Sequence, residues 1–230
     1  MVVPTFNEAL NIIEIVERIL RVGPAFEVLV VDDNSPDGTA LLVEGLSQQQ
    51  PRARLMRRTS KSGRGDAVMA GFRSGLESGL YDHFAEMDAD LSHEPESLPA
   101  LQAAALHADV VIGARYAKGG VIRGWGPHRR AWSWLANRII ALVLRMPTSD
   151  NTNGFRLYSR AAVETLATAN LRERGFIALS EWAFVLQRAG FRFADVPVVF
   201  TDRQHGTSNM SMAEALGALR ALARLKVRRR

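Results

Sequence analysis

Two aspartates, Asp88 and Asp90, flank Ala89 directly after a short apolar run. Carboxylates at i and i+2 on a chain leaving a strand can converge on one hard cation, which prefers oxygen ligands. Mg²⁺ keeps few protein ligands and commonly shares the rest with a diphosphate. Acidic residues also cap the helix that follows such a turn, so the triplet alone leaves both roles open. A second acidic turn, with Asp32, Asp33, Asp37 and Gly38, follows another apolar run. An Asp there can accept hydrogen bonds from a ribose hydroxyl or a base edge, or can simply serve the turn. Clustered carboxylates repel one another, which favours a bound cation or a ligand rich in donors.

The basic candidates are Arg115, Arg123, Arg129, Arg130 and Arg203, all expected in loops or at a helix start. Solvated surface is the usual fate of arginine. Arg129 and Arg130 with Ser133, at the amino end of an apolar helix, would nevertheless suit a phosphate, because guanidinium forks and helix-terminal amides converge there. SGRGDA (62–67) opens a helix with two glycines but has neither Walker spacing nor the full dinucleotide fingerprint, and a plain helix start accounts for it equally well. The five histidines are scattered without metal-ligand spacing, and Ser35, Ser92 and Ser180 lack the flanks of a nucleophile elbow.

Short apolar runs alternating with helical patterns must position these groups. VVPTF is a clipped strand, and Thr5 with Glu8 forms a capping box for a helix carrying Leu10, Ile12, Ile13, Val16, Ile19 and Leu20. Strands are expected at 27–31, 53–57, 84–87 and 109–113, with helices to about Gln49, over Asp66–Leu80 and over Pro95–His107. Such alternation implies a parallel sheet with right-handed crossovers, whose ligands sit beyond the carboxyl ends of the strands. PTFNE, DDNSPDGT and DADLSHE all fall at those ends. Further on come a basic Gly-rich loop, a Trp-bearing helix through Arg145, helices from Arg160 and around Ser180–Ala189, a strand near Val196–Phe200 and a last helix from Met212 to about Val227. The Trp-bearing helix is either core or an interfacial helix at headgroup depth, with Arg138 and Arg145 snorkelling.

The chain has 230 residues, 47% apolar and 23% charged, and no cysteine, so disulfides, thiolate metal sites and thiol nucleophiles are excluded together. No run reaches the roughly 18 apolar residues of a spanning helix. Pro4, Asn7 and Glu8 interrupt the opening apolar stretch, unlike a signal peptide. Residues 1–114 carry 9 basic and 17 acidic side chains, residues 115–230 carry 20 and 7, a formal −8 against +13. One half could hold a cation and the other could meet phosphates or an anionic surface. No linker separates them, so one domain is expected, 1–114 binding nucleotide-sugar and metal and 115–230 binding acceptor.

At these motifs the sequence resembles family-2-type inverting glycosyltransferases of GT-A fold, and among them the polyprenol- or dolichol-phosphate mannose synthases. The markers are PTFNE (4–8), VVDDNSPDGT (30–39), MDADLSHEPE (87–96), GARYAKGG (113–120), DNTNGFRLY (150–158) and DRQHGTSNMS (202–211), nearly the whole chain. The resemblance implies a Rossmann-like, mostly parallel central sheet flanked by helices, and transfer of mannose from GDP-mannose to a polyprenyl or dolichyl phosphate with inversion. It implies that Pro4, Phe6, Glu8, Asp33 and Asp37 hold the nucleotide-sugar, with Asp88 and Arg203 on its diphosphate side. Asp88 and Asp90 would bind Mg²⁺ or Mn²⁺, with Ser92 where the family commonly has Gln. Arg115, Arg129 and Ser133 would grip the lipid phosphate, with Asp90, Arg115 and Arg129 carrying the catalysis. The enzyme would sit peripherally on the cytoplasmic face of a membrane, by itself or through a membrane-anchoring partner protein, and would not bind nucleic acid.

The chain departs from the family pattern at Arg64, where Gly-Leu-Gly is usual, at Ala178–Ser180 before Glu181, and at Asn209, where the family has Lys. Its amino terminus is a few residues short for a full first strand. A UDP-sugar donor such as UDP-glucose remains the alternative within the superfamily. A response regulator is the alternative outside it, since VLVVDDN imitates a receiver's acidic pair. A complete strand–helix unit precedes that pair, however, and the second half shows no helix-turn-helix pattern.

Overall fold

The computed structural model describes residues 1–60, 63–173, 176–203, 222 and 224–226. Strands β1 (Val2–Thr5), β2 (Val28–Asp32), β3 (Ala53–Arg57), β4 (His83–Glu86), β5 (Val110–Ala114), β7 (Arg156–Ser159) and β8 (Phe193–Pro197) form one seven-stranded sheet in the order β3-β2-β1-β4-β7-β5-β8. β6 (Val121–Arg123) and β9 (Val199–Thr201) make a separate parallel pair. The helices are α1 (Ile12–Val22), α2 (Thr39–Gln49), α3 (Arg64–Ser78), α4 (Leu98–Ala104), α5 (Pro127–Leu144), α6 (Arg160–Thr168) and α7 (Phe176–Arg188).

Strand side chains point alternately to opposite faces, so a sheet covered on both faces needs continuous apolar runs. Neighbours divide accordingly. Val3, Val30 and Val111 join the cluster of Ile12, Ile15, Ile19, Leu98 and Leu101 from α1 and α4. Val2, Val31, Val110 and Ile112 join the cluster of Phe72, Val163, Trp182 and Leu186 from α3, α6 and α7. In α1 the buried face is Ile12, Ile15, Val16, Ile19 and Leu20, the i, i+3, i+4, i+7 stripe, each contributing about 1.5–3 kcal/mol on burial. Gly23 and Pro24 end this helix.

The sequence pattern fails at specific places. Thr5 does not cap α1: it closes β1, and its hydroxyl donates to Asp32 at 3.0 Å. Leu10 lies before the helix and is exposed; Asn11 is the N-cap. Pro95–His107 resolves into a short 3₁₀ turn, Pro95–Ser97, and α4. The expected strand near Val196–Phe200 is two strands in different sheets, parting at Val198. β7 was not expected, and it runs antiparallel to both β4 and β5 between which it lies. Its Arg156 is polar yet fully buried, because the guanidinium donates to the carbonyls of Asn151, Asn153 and Leu179 at 2.9, 2.8 and 2.8 Å. The final helix and the GTS element lie outside the described residues, apart from Leu222 and Leu225, which pack on Ile140, Leu144, Ile177 and Phe184.

The chain runs from β1 to β2 to β3 on one side and then returns to place β4 on the other side of β1. The reversal makes a crevice beyond the carboxyl ends of β1 and β4, the place where open α/β sheets bind ligands.

Candidate active site at the strand switch point

The loops after β1 and β2 are laced together. Asn7 N donates to Ser35 Oγ, Glu8 N to Thr39 Oγ1 and Ala9 N to Asp37 Oδ2, each at 3.0 Å. Asp37 also accepts from Thr39 N at 3.0 Å and Thr39 Oγ1 at 2.6 Å, so this residue performs the turn-and-cap role left open by the sequence. Asp32 is buried and accepts from Thr5, from Ser35 N at 2.9 Å and from Ser35 Oγ at 2.5 Å. Asp33 is buried as well, and Arg58, just past β3, meets its Oδ1 at 2.9 Å. Pro4 is half-buried in β1 and Phe6 is 36% exposed at the mouth of the crevice.

Asp88 and Asp90 follow β4. Arg64, the first residue of α3, donates from Nε to Asp88 Oδ1 at 2.6 Å. Burial pushes the Asp88 carboxyl up, but the Arg64 guanidinium beside it prevails and holds it below the ordinary carboxylate value. Asp90 is buried, accepts from Ser92 N at 3.1 Å and faces Arg203 Nη2 at 3.4 Å. Ser92 is buried too, and its carbonyl accepts from Thr201 N at 2.9 Å, which docks this turn on β9. Between the aspartate and the serine, Leu91 adopts φ +59°, a left-handed conformation that costs a non-glycine residue about 1–2 kcal/mol. Such strain concentrates at functional turns. Burial raises the Glu8 carboxyl above its ordinary value against the hydrogen bond from Asn11; the charges of Asp90 and Asp88 add to the rise and that of Arg203 opposes it.

Sequence reasoning gave His93 no role. Its ring packs on Phe155 and Phe200 at 5.4 and 5.1 Å between centroids, and neither nitrogen has a hydrogen-bond partner among the described residues. Burial pushes it down to about 4, leaving it neutral near Asp88 and Asp90. Its position two residues past the second aspartate's neighbour Leu91 was the available signal.

The basic groups arrive from the other half. Arg129 lies in the first turn of α5, stacks on Trp125 at 4.2 Å and donates to Asp202 Oδ2 at 2.8 Å. Ser133 follows one turn later, half-buried. Asp202 also accepts from Trp125 Nε1 at 3.3 Å. Asp202 thus holds Arg129 while its neighbour Arg203 reaches Asp90, so one dipeptide joins the arginine side to the aspartate side. Arg130 donates to the Ile122 carbonyl and, with Arg115, Tyr116 and Trp134, lines a cleft of about 360 Å³ beside α5.

Arg115 is placed differently from an open phosphate clamp. It directly follows β5 with only 7% of its side chain exposed, donating to Asp150 from Nε at 2.7 Å and Nη2 at 2.8 Å, and to Thr152 at 2.9 Å. Its backbone N–H also donates to Asp150, at 3.0 Å. Among the described residues Nε and Nη2 are taken, which leaves Nη1 for an anion. Burial raises the Asp150 carboxyl, but Arg115 outweighs it and the carboxyl stays below its usual value. A depressed folded value contributes stability above the unfolded carboxyl pKa of about 3.9, lost as pH falls through the folded value. Asp150→Ala should therefore lower unfolding free energy by about 3–5 kcal/mol at neutral pH, since it strands a buried guanidinium. Urea denaturation at pH 7 checks this, and a change below about 1 kcal/mol would remove the pair from the stability account.

The residues fit a divalent cation of the Mg²⁺ or Mn²⁺ kind by their chemistry, since Asp88 and Asp90 offer hard carboxylate oxygens at the crevice. Among the described residues no group of three or more His, Cys, Asp or Glu could hold an ion unaided. Ligands from a diphosphate would have to complete the shell.

The sheet and its helices match the solved structure of glucosyl-3-phosphoglycerate synthase from Mycobacterium tuberculosis in complex with Mn²⁺, UDP-glucose and phosphoglyceric acid. The TM-score is 0.70 over 98% of this chain and 78% of that one, at 18% identity, a likeness of fold. The fold class is therefore that of the GT-A-like glycosyltransferases. Residues 1–167 match the model of glycosyl transferase family 2, and the chain belongs to that family. It is 38% identical to the polyprenol monophosphomannose synthase of Mycolicibacterium smegmatis, over 100% of this chain and 87% of the relative. It is 37% identical to the undecaprenyl-phosphate mannosyltransferase of Micrococcus luteus, over 91% and 86%. The dolichol-phosphate mannosyltransferase of Pyrococcus furiosus is 34% identical over 98% of this chain and 62% of its own length.

Proposed function

We propose that this glycosyltransferase moves mannose from GDP-mannose to a polyprenyl phosphate with inversion, in a reaction that uses Mg²⁺ or Mn²⁺. The observation that carries the reading is the meeting of two unlike charge environments at Asp202 and Arg203: carboxylates at the strand switch point on one side, Arg129 at a helix amino end on the other. The names of the three relatives, all lipid-phosphate mannose transferases, support the acceptor and the sugar.

A lipid phosphate is already anionic at neutral pH, so no protein base has to create the nucleophile. The chain's task is alignment and charge stabilisation. Arg129 and the free amides of the first turn of α5 bind and orient the acceptor phosphate. Asp88 and Asp90 would hold the cation, which when bound supplies Lewis-acid stabilisation of the departing diphosphate. Arg203 adds positive charge on the same side. The loops after β1 and β2, with Phe6, Glu8 and Asp33, enclose the nucleoside.

The acceptor's lipid tail asks for an apolar approach. No helix among the described residues is long and apolar enough to cross a membrane. α5 instead leaves Trp132, Trp134, Leu135, Ile139 and Leu142 exposed while burying Asn137, Ile140 and Leu144. An amphipathic helix with tryptophan at its boundary suits the headgroup region, and would deliver Arg129 to a lipid phosphate there.

The reading is tested by incubating the protein with polyprenyl phosphate in detergent, Mg²⁺ and either labelled GDP-mannose or labelled UDP-glucose, then extracting the lipid. Label should enter the lipid phase from GDP-mannose and stay aqueous with UDP-glucose; the reverse pattern overturns the donor, and no label from either overturns the acceptor.

A further inference from the structure

Arg64 stands where the sequence pattern offered only a helix start, yet its guanidinium makes three hydrogen bonds at the crevice. Its Nε donates to Asp88 Oδ1 at 2.6 Å, Nη1 to Glu86 Oε2 at 2.6 Å and Nη2 to the Gly154 carbonyl at 3.0 Å. Glu86 is fully buried in β4, and its other oxygen accepts from the Tyr158 hydroxyl at 2.7 Å. Residue 154 is glycine for a reason the packing makes plain: a Cβ there would collide with Nη2 of Arg64. Three acceptors in fixed directions match a planar guanidinium and not an ammonium. Burial works against the Arg64 charge, but Asp88 and Glu86 outweigh it and hold the proton more tightly than usual.

We infer that Arg64 is the resident counter-cation of Asp88, a positioning residue that fixes which carboxylate oxygen stays available and weakens binding of a free divalent ion, so that the ion enters together with the nucleoside diphosphate. The inference rests on the divalent-ion reading above. Oδ1 of Asp88 accepts from Arg64, so Oδ2 is the oxygen not bonded to that guanidinium, and the Asp88 side chain keeps 36% exposure. Asp90 has its own arginine, Arg203, at 3.4 Å. A dication approaching these two carboxylates alone meets two guanidinium charges at short range, and like charges in a partly buried site repel strongly. A diphosphate reverses the balance, because its oxygens bring negative charge and complete the ion's shell.

The test is titration of Mn²⁺ followed by electron paramagnetic resonance of the free ion, with and without GDP, UDP being run alongside. The proteins are the wild type, the double variant Arg64→Leu with Glu86→Gln, and Arg64→Gln. In the double variant the amide at position 86 leaves no uncompensated buried carboxylate, and its oxygen still accepts from Tyr158. Arg64→Gln keeps donors for both acidic groups without the charge, and melting curves confirm that each variant folds. Wild type should bind Mn²⁺ at least about tenfold more tightly with nucleotide than without. Both variants should bind nucleotide-free Mn²⁺ about tenfold more tightly than wild type, about 1.4 kcal/mol, so the nucleotide effect shrinks. A merely structural role would leave that affinity unchanged or lower it. Variants that bind nucleotide-free Mn²⁺ no better than a wild type that does bind it overturn the inference alone. A wild type that takes up no Mn²⁺ even with nucleotide overturns the divalent-ion reading and this inference with it.

Discussion

Asp90→Ala should reduce sugar transfer by about 10³-fold or more at saturating substrates while the protein stays folded. Asp90 is buried in the turn after β4, yet among the described residues its oxygens meet one backbone amide, at 3.1 Å, and Arg203 at 3.4 Å. These contacts are too few to hold the fold. Its loss removes one of two carboxylates placed to carry the cation and takes away the carboxylate that Arg203 meets at 3.4 Å. Initial rates under excess donor, acceptor and Mg²⁺ measure the effect, with circular dichroism and a melting curve as controls for folding. A rate within threefold of wild type would end the metal assignment.

Arg129→Ala is expected to act on the other substrate. It should raise the apparent KM for the lipid by about 10–100-fold, the loss of a charge-assisted hydrogen bond worth about 1.5–3 kcal/mol, while the donor KM changes little. Arg129 is 40% exposed on its side chain, so its removal leaves no buried cavity. The specific cost is the pairing with Asp202 and the stacking on Trp125. Steady-state kinetics with each substrate varied in turn separates the two constants. A donor KM that rises as much as the lipid KM would show that Arg129 serves the nucleotide side instead.

The parts of the fold that could be read in the sequence are those fixed by local patterning. β3 spans Ala53–Arg57 and α2 ends at Gln49, as their apolar runs and turn residues require. The carboxyl-end position of PTFNE, DDNSPDGT and DADLSHE followed from the same alternation, because a parallel sheet has only one edge for its outgoing loops. What escaped depends on partners distant in sequence. Arg156 and Tyr158 make β7 look like a polar turn, and it takes the distant Leu179 carbonyl and Glu86, beside the local carbonyls of Asn151 and Asn153, to render it a central strand. Arg64 looks like an ordinary first residue of a helix until Glu86, Asp88 and Gly154 are placed around it. Arg115 illustrates the converse: an arginine in a basic loop matched a family position, but Asp150, 35 residues later, takes up most of its donors. Asp37 likewise belongs to the turn, as its local sequence allowed.

Crystals grown with GDP-mannose and Mn²⁺, measured at the manganese absorption edge, examine the arrangement at its centre. An anomalous peak should lie within bonding distance of Asp90, of Asp88 Oδ2 and of both nucleotide phosphates, with the sugar turned toward Arg129. Donor bound without a peak between those two carboxylates, or bound outside the crevice between β1 and β4, would contradict it.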